Sequence, residues 1–356
     1  MKKNIISARL FLLLVACLVV IATGCAQQTS SDKPEKIVLD YAYYSPTSLV
    51  LKEFGWAEEA FAEEGIEVEF VLSQGSNKAL ELLNSDSVDF GSTAGAAALI
   101  SKANTNAPIE AVYIYSKPEW TALVTNADSG IQSVEDLSGK RVAATLGTDP
   151  FIFLLRALNE VGLSQEDIEL VPLQHGDGAM ALTSEQVDAW AGLDPHMARV
   201  ELEADAALFY RNPDFNTYGF LNVRSAFAEA YPAYVDKVIA LYERARKWTI
   251  DNPDEAAEIL AQEASLDLEV ATHQLQTRND FSQPIPGDVH REALVAAAEV
   301  LQLDETIRAD ADIDQSIENL IQPAYAERVI EGEDHEDDEA SQETAETTDT
   351  AADEEH

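Results

Sequence analysis

The sequence predicts an α/β protein of two units followed by a helical remainder. Three observations carry this. β-Branched and aromatic runs alternate with stretches of helical period, Gly- and hydroxyl-rich turns sit at the strand ends, and from Pro232 onward the period is helical almost throughout. The 356 residues, 46% hydrophobic and 25% charged, suffice for about two ordinary domains that bury a core without staples. They exclude a collagen-like, a wholly disordered and a polytopic membrane chain.

The first elements are not part of the fold. Lys2, Lys3 and Arg9 precede the apolar run Phe11–Ile21, which is too short to span a bilayer at 1.5 Å per residue and fits a secretory signal, residues 1–24. Ala22-Thr23-Gly24-Cys25 resembles a bacterial lipobox, with Cys25 as the lipidation site; a plain signal peptide cut nearby is the alternative. Cys17 falls in the removed segment, so no disulfide or cysteine metal site is expected. Residues 25–36 are polar and read as a tether.

Ile37–Ala42 is the first strand, and Leu49–Glu64 is a helix with Val50, Phe54, Ala57 and Phe61 on one face, stopped by Gly65. Ile66–Leu72 alternates as a strand. Gln74-Gly75-Ser76-Asn77 turns into a short helix, and Val88–Phe90 is a buried strand before Gly91-Ser92-Thr93-Ala94-Gly95 opens the next helix. This pace implies parallel pairing with right-handed crossovers. Strands follow at 109–116 and 120–126.

A second series runs through strand 141–146, the turn Gly147-Thr148-Asp149-Pro150, helix 151–161, strands 168–173 and 187–193, then Asp194-Pro195 and strand 218–223. The two units thus span roughly 37–126 and 127–222. A small ligand is expected in the cleft beyond the strand C-termini.

Three turns share one design of strand, Gly and hydroxyl residues, then helix: Gln74-Gly75-Ser76, Gly91-Ser92-Thr93 and Gly147-Thr148. Free N–H groups of a first helical turn, with Gly for close approach and hydroxyls as further donors, can hold an anion without a charged side chain. Ordinary N-capping is the alternative. Asp149 is a complication, because its carboxylate would occupy the dipole itself. Tyr43, Tyr44, Trp120, Trp190 and Tyr218 flank these turns as ligand walls or as core. Ser45 could donate directly, and Asp194 could hold a ligand cation or start the following helix.

Net charge is −42. This argues against a nucleic-acid partner. Setting aside three basic signal residues and thirteen acids in 331–356 leaves −32 on the body. That excess predicts a saline habitat, since screening at about 1 M salt acts over roughly 3 Å. The segment 331–356 has no Lys or Arg and reads as a disordered acidic tail; metal capture by His335 and His356 is the minor alternative.

A nucleophile elbow is a poor fit, because the centre of GSTAG is Thr93 where that motif has Ser, and no spacing ties His175, His196 or His273 to it. His175 and His196 read as surface or cleft-edge residues rather than metal ligands. No H-E-x-x-H, P-loop or G-x-G-x-x-G motif is present.

The ordered motifs SQGSNKAL (73–80), SVDFGSTAG (87–95), SVEDLSGKRVA (133–143), GTDP (147–150) and VDAWAGLDP (187–195), with the lipobox, resemble the solute-binding lipoproteins of ABC importers, in particular the aliphatic sulfonate, taurine and nitrate group. The resemblance covers about 37–330. It implies a two-lobed, type II periplasmic-binding-protein-like fold with a hinge, with lobe 1 at 37–126 plus 223–330 and lobe 2 inserted at 127–222. It implies a monomeric, non-enzymatic protein without cofactor or metal, lipid-anchored through Cys25 on the extracytoplasmic face of the cell membrane.

On this resemblance the protein captures an alkanesulfonate or taurine and delivers it to a permease and its ATPase. Ligand contacts would come from Tyr44, Ser45, Gln74, Gly75, Ser76, Ser92, Thr93, Trp120, Thr148, Trp190, Asp194 and Tyr218. Nitrate or a thiamine-pyrimidine precursor is the alternative ligand, and a secreted hydrolase using Thr93 is the alternative class.

Overall fold

The structure, a computed structural model, describes residues 33–332, and the chain from Glu35 onward forms one compact unit. The signal peptide, Cys25 and the segment from 333, with His335 and His356, lie outside the described residues. Glu331 and Gly332, expected in the tail, close the last helix.

Strand β1 (Lys36–Tyr41) already includes Lys36, expected as tether, because Lys36 pairs with Glu67. Helices α1 (Pro46–Glu53) and α2 (Trp56–Ala62) replace the single expected helix, because Gly55 takes the left-handed region at φ 63° between them. After β2 (Glu67–Leu72) and α3 (Ser76–Asn84), strand β3 (Phe90–Ala94) extends through the GSTAG motif, so helix α4 (Gly95–Thr105) starts only at its last glycine. Ser92 and Thr93 therefore sit inside a strand, not on a helix-opening turn. Next come β4 (Ile109–Pro118) and β5 (Thr121–Asn126).

The middle of the chain holds β6 (Arg141–Ala144), α5 (Asp149–Glu160), β7 (Glu169–Pro172), α6 (His175–Thr183), β8 (Ala189–Leu193), α7 (His196–Glu203), β9 (Ala206–Tyr210) and β10 (Gly219–Arg224). The remainder is α8 (Ser225–Ala230), α9 (Pro232–Asp251), α10 (Pro253–Ala264), α11 (Leu268–Thr277), β11 (Asn279–Asp280), α12 (Asp288–Leu303), α13 (Ile313–Leu320) and α14 (324–332). Proline stands in the first turn of α1, α5, α9 and α10, where its missing N–H costs nothing.

Two sheets result. The first has the order β11-β4-β10-β3-β1-β2 and the second β7-β6-β8-β5-β9. β1 pairs in parallel with β2 and β3, while β10 runs antiparallel between β3 and β4. The second sheet repeats the scheme, with β6 parallel to β7 and β8, and β5 antiparallel to β8 and β9. Each lobe is thus a mixed α/β sheet; the first takes β10 and β11 from beyond the inserted strands β5–β9.

The crossings fall earlier than the 126/127 and 222/223 boundaries expected from the sequence. Thr121–Asn126 belong to the second sheet and Gly219–Asn222 to the first. Strand 120–126 reads with the first unit because the nearest glycine break, Ser129-Gly130, comes only after it. The helical remainder packs back on the first lobe: α9 lies against α1 and β4, and α13 against α4. Two of its helices also touch the second lobe, α11 on α7 and α12 on α5.

Candidate functional site

The two crossings are tied together by one carboxylate. Trp120, in the β4–β5 link, donates its indole N–H to Asp149 Oδ2 at 2.8 Å. Thr217, in the β9–β10 link, donates its N–H to Asp149 Oδ2 at 2.8 Å and its hydroxyl to Oδ1 at 2.6 Å. The N–H of Ala96, at the start of α4, donates to Thr217 Oγ1 at 3.0 Å. Burial pushes Asp149 up to about 6, against the pull of the Thr217 and Trp120 donors.

Asp149 stands in the first turn of α5, but its carboxylate is engaged by Trp120 and Thr217. Thr148 spends its proton on Thr145 O at 2.6 Å. It lines the cleft without a hydrogen to offer, contrary to its expected role as a donor.

Between the lobes lies a hollow of about 220 Å³, lined by Tyr43, Tyr44, Ser73 and Gln74 from the first lobe and by Gln174–Asp177 and Leu193–His196 from the second. It shares Tyr44 and Leu193 with a narrower crevice lined by Ser76, Trp120, Thr148, Asp149 and Pro150. Of the residues expected at the ligand, Tyr44, Gln74, Ser76, Trp120, Thr148 and Asp194 line one or the other. Gly75 stands tight against the second lobe: at φ 141°, an added Cβ would lie 2.9 Å from His175 Nε2.

The first-lobe floor is a buried polar network. Asp40, at the end of β1, accepts the N–H and hydroxyl of Ser92 at 2.8 and 2.9 Å and the hydroxyl of Ser73 at 2.7 Å. With no cation beside it, burial pushes its carboxyl up to about 6. Tyr44 donates to Ser92 O at 3.0 Å and meets the Trp120 ring edge-on at 5.8 Å. Ser76 Oγ accepts the Ala94 N–H at 2.9 Å, which leaves its own proton for a ligand.

Five expected contacts lie elsewhere. Ser45 is fully buried behind Ser92, 3.4 Å from its hydroxyl, and Ser92 spends its proton on Asp40. Thr93 is fully buried and accepts from Asn222 Nδ2 at 2.8 Å. Trp190 is core, packed where Gly178 leaves room: an added Cβ there would lie 2.6 Å from its indole nitrogen. Tyr218 stacks edge-on against His290 at 4.3 Å. Ser45 precedes α1, and the other four lie on strands or links whose two faces are equally buried, so alternation could not tell the cleft side from the core side.

Asp194 lines the hollow, but its oxygens are committed. They accept from Arg278 Nη1 at 3.1 Å each, and Oδ1 caps α7 through the Ala198 N–H at 2.8 Å. Arg278 also reaches Glu201, which lies 3.3 Å from His273 Nε2.

Sequence reasoning had His175 and His196 as surface or cleft-edge residues, and both line the hollow; it missed Gln174, Gly176 and Asp177 on the second-lobe wall. These residues open α6, but Leu173-Gln174-His175 carries no Gly–hydroxyl signature to announce a turn. Among the described residues no cluster of His, Cys, Asp and Glu could hold a metal.

The family described as NMT1/THI5 like matches residues 52–256, more than half of the chain. A putative aliphatic sulfonates-binding protein of Bacillus subtilis (strain 168) is 28% identical over 293 residues, 81% of this chain and 86% of the relative. The alkanesulfonate-binding protein from Xanthomonas axonopodis pv. citri, solved bound to MOPS, superposes with a TM-score of 0.73 at 23% identity, over 82% of this chain and 99% of that one. The periplasmic aliphatic sulphonate binding protein from Escherichia coli gives 0.69 at 25% identity, over 80% and 97%.

Proposed function

The chain belongs to the NMT1/THI5-like family, and from that premise we propose that it is the substrate-binding protein of an ABC importer. It captures a small sulfonate-type anion, an alkanesulfonate or taurine, between its lobes and hands it unchanged to a permease and its ATPase. It works outside the cytoplasm, tethered to the membrane by lipid on Cys25.

The observation that carries this reading is the interlobe hollow with uncharged donors. No lysine or arginine lines it among the described residues. The first-turn amides of α3 and the Ser76 hydroxyl offer neutral hydrogen bonds, which suffice for a permanent anion and still permit release. Gly75, Ser76, Gln74, Tyr44 and Trp120 are the contacts proposed from the first lobe and the hinge. The names of the relatives support the ligand class. Thr93, fully buried with its hydroxyl oxygen accepting from Asn222, speaks against the hydrolase.

A thermal-shift screen tests the proposal with ethanesulfonate, taurine, nitrate and a thiamine-type aminopyrimidine. A sulfonate at a hundredfold excess over its Kd adds ~2.7 kcal/mol of stability and raises the midpoint by several degrees. A rise with the pyrimidine or nitrate alone overturns the ligand class.

A further inference from the structure

The body carries a charge of −32, yet one groove on the first lobe has cations as its only charged lining. Helix α9 presents Lys237, Ala240, Leu241, Arg244 and Lys247 to it, at spacings of three and four that place them on one face, and Ala60 of α2 closes the other side. The groove holds about 560 Å³ and no carboxylate lines it. It shares no residue with the interlobe hollow or the crevice beside it.

The surroundings leave this stripe cationic. All three charged side chains are exposed. Arg244 lies over Trp56, its Cζ 3.8 Å from the ring centroid, and pairs with no carboxylate among the described residues. Lys237 reaches Glu64. Lys247 stands 3.8 Å from Glu243, but Glu243 is buried and already accepts from Arg246 through both oxygens and from the Tyr113 hydroxyl at 2.9 Å.

The same chain supplies a matching anion. Residues 333–356 contain no Lys or Arg, and Glu333, Asp334, Glu336, Asp337, Asp338 and Glu339 stand within seven positions. This segment follows α14, and α14 is fastened to α9 next to the groove. Arg328 donates to Asp236 Oδ1 at 2.8 Å and to Oδ2 at 3.3 Å, and Asp236 adjoins Lys237. From Lys237 to Lys247 the helix rises about 15 Å. Seven extended residues reach about 23 Å, enough to cover that stripe. Covalent attachment makes the encounter intramolecular, at an effective concentration in the millimolar range. A segment without large apolar side chains has nothing to bury, so charge selects where it rests.

We propose that the α9 groove is the docking surface of the chain's own acidic C-terminal segment, with carboxylates of 333–339 set against Lys237, Arg244 and Lys247. The inference uses no residue of the cleft and stands whether or not the sulfonate reading holds. The docked segment covers the cationic stripe and closes it to other anionic surfaces. Exposed ion pairs hold it, so salt releases it.

Carbodiimide coupling of the full chain, which joins a lysine amine to a touching carboxylate, is the test, with peptide mapping of the single-chain product. At low salt Lys237 and Lys247 are expected to couple to acids of 333–339 at least ~fivefold more often than the exposed Lys78 and Lys140, and about 1 M salt to abolish the preference. Arg244→Glu is expected to lower that coupling at least ~fivefold, and Arg244→Gln serves if the charge-reversed variant does not fold. Coupling spread evenly over the exposed lysines, no coupling to the segment, or links found only between two chains would overturn the inference. So would an uncoupled segment together with binding of phosphatidylglycerol vesicles that Arg244→Glu removes, which would give the groove to a membrane surface instead.

Discussion

Arg278 and Asp194 form an ion pair across the lobes, with both Asp194 oxygens 3.1 Å from one guanidinium nitrogen and each side chain no more than 2% exposed. Arg278 follows α11 in the helical remainder, and Asp194 follows β8 in the second lobe. The pair therefore fastens the remainder to the inserted lobe at the rim of the hollow. Breaking a buried pair by removing one partner leaves an uncompensated charge, at a cost of about 3–5 kcal/mol. Arg278→Leu is expected to lower unfolding free energy by that amount in urea titrations. A loss under 1 kcal/mol would show that the pair is not buried in solution.

Asp149 holds both crossings, so Asp149→Ala leaves the Trp120 indole N–H and the Thr217 N–H without acceptors. At about 1–3 kcal/mol for each orphaned group, the variant loses roughly 2–6 kcal/mol. Tryptophan fluorescence during denaturant unfolding reads the change. Full stability in this variant would mean that water serves the hinge equally well.

Asp40 gives a pH signature. Its carboxyl keeps a proton up to about pH 6 in the folded chain, against 3.8 for the ordinary group. Between those values the folded state binds more protons than the unfolded one, so stability falls as pH rises, and above about 6 the penalty is constant. The shift corresponds to roughly 3 kcal/mol. His175 and His290, pushed down by burial to about 3 and about 4, act in the opposite sense. The clean readout is therefore the difference between wild type and Asp40→Asn, which should change between pH 4 and 6 and stay level above.

Gly75→Ala tests the closeness of the lobes. The new methyl would sit 2.9 Å from His175 Nε2 and from Asn77 Oδ1, on a backbone at φ 141° that side chains avoid. Ligand affinity should fall more than tenfold by calorimetry, with a stability loss of about 1–3 kcal/mol. An unchanged affinity would mean that the lobes do not meet there when ligand is bound.

The body charge of −32 predicts that stability rises between low salt and about 1 M salt, where screening shortens to roughly 3 Å. Thermal midpoints across a salt series check this, and a flat series removes the argument for a saline habitat.

The alternation of strand and helix was legible because its signals are local: Gly65 stopping α2, proline opening α5, β-branched runs in β1 and β4. The return of the helical remainder to the first lobe was not, since no residue there encodes which sheet it covers; only the family resemblance implied it. At the site, Gly75-Ser76 announced itself through a turn that needs glycine. The GSTAG motif looked like a second such turn, but its residues complete the β3 ladder with β10, a partner more than a hundred residues away. Trp190 misled for a related reason. A strand buried on both faces shows no alternation, and only Gly178 on the neighbouring helix tells which face takes the indole.

Ser116 and Gly219 face each other in the β4–β10 ladder, so the whole inserted lobe leaves and returns at neighbouring rungs. A tight turn joining Pro118 to Gly219 would complete an ordinary hairpin and preserve the six-stranded order of the first sheet. The excised piece would keep five strands of its own. The architecture is that of a detachable cassette, and half-proteins cut at these rungs offer a route to exchanging one jaw of the clamp while keeping the other.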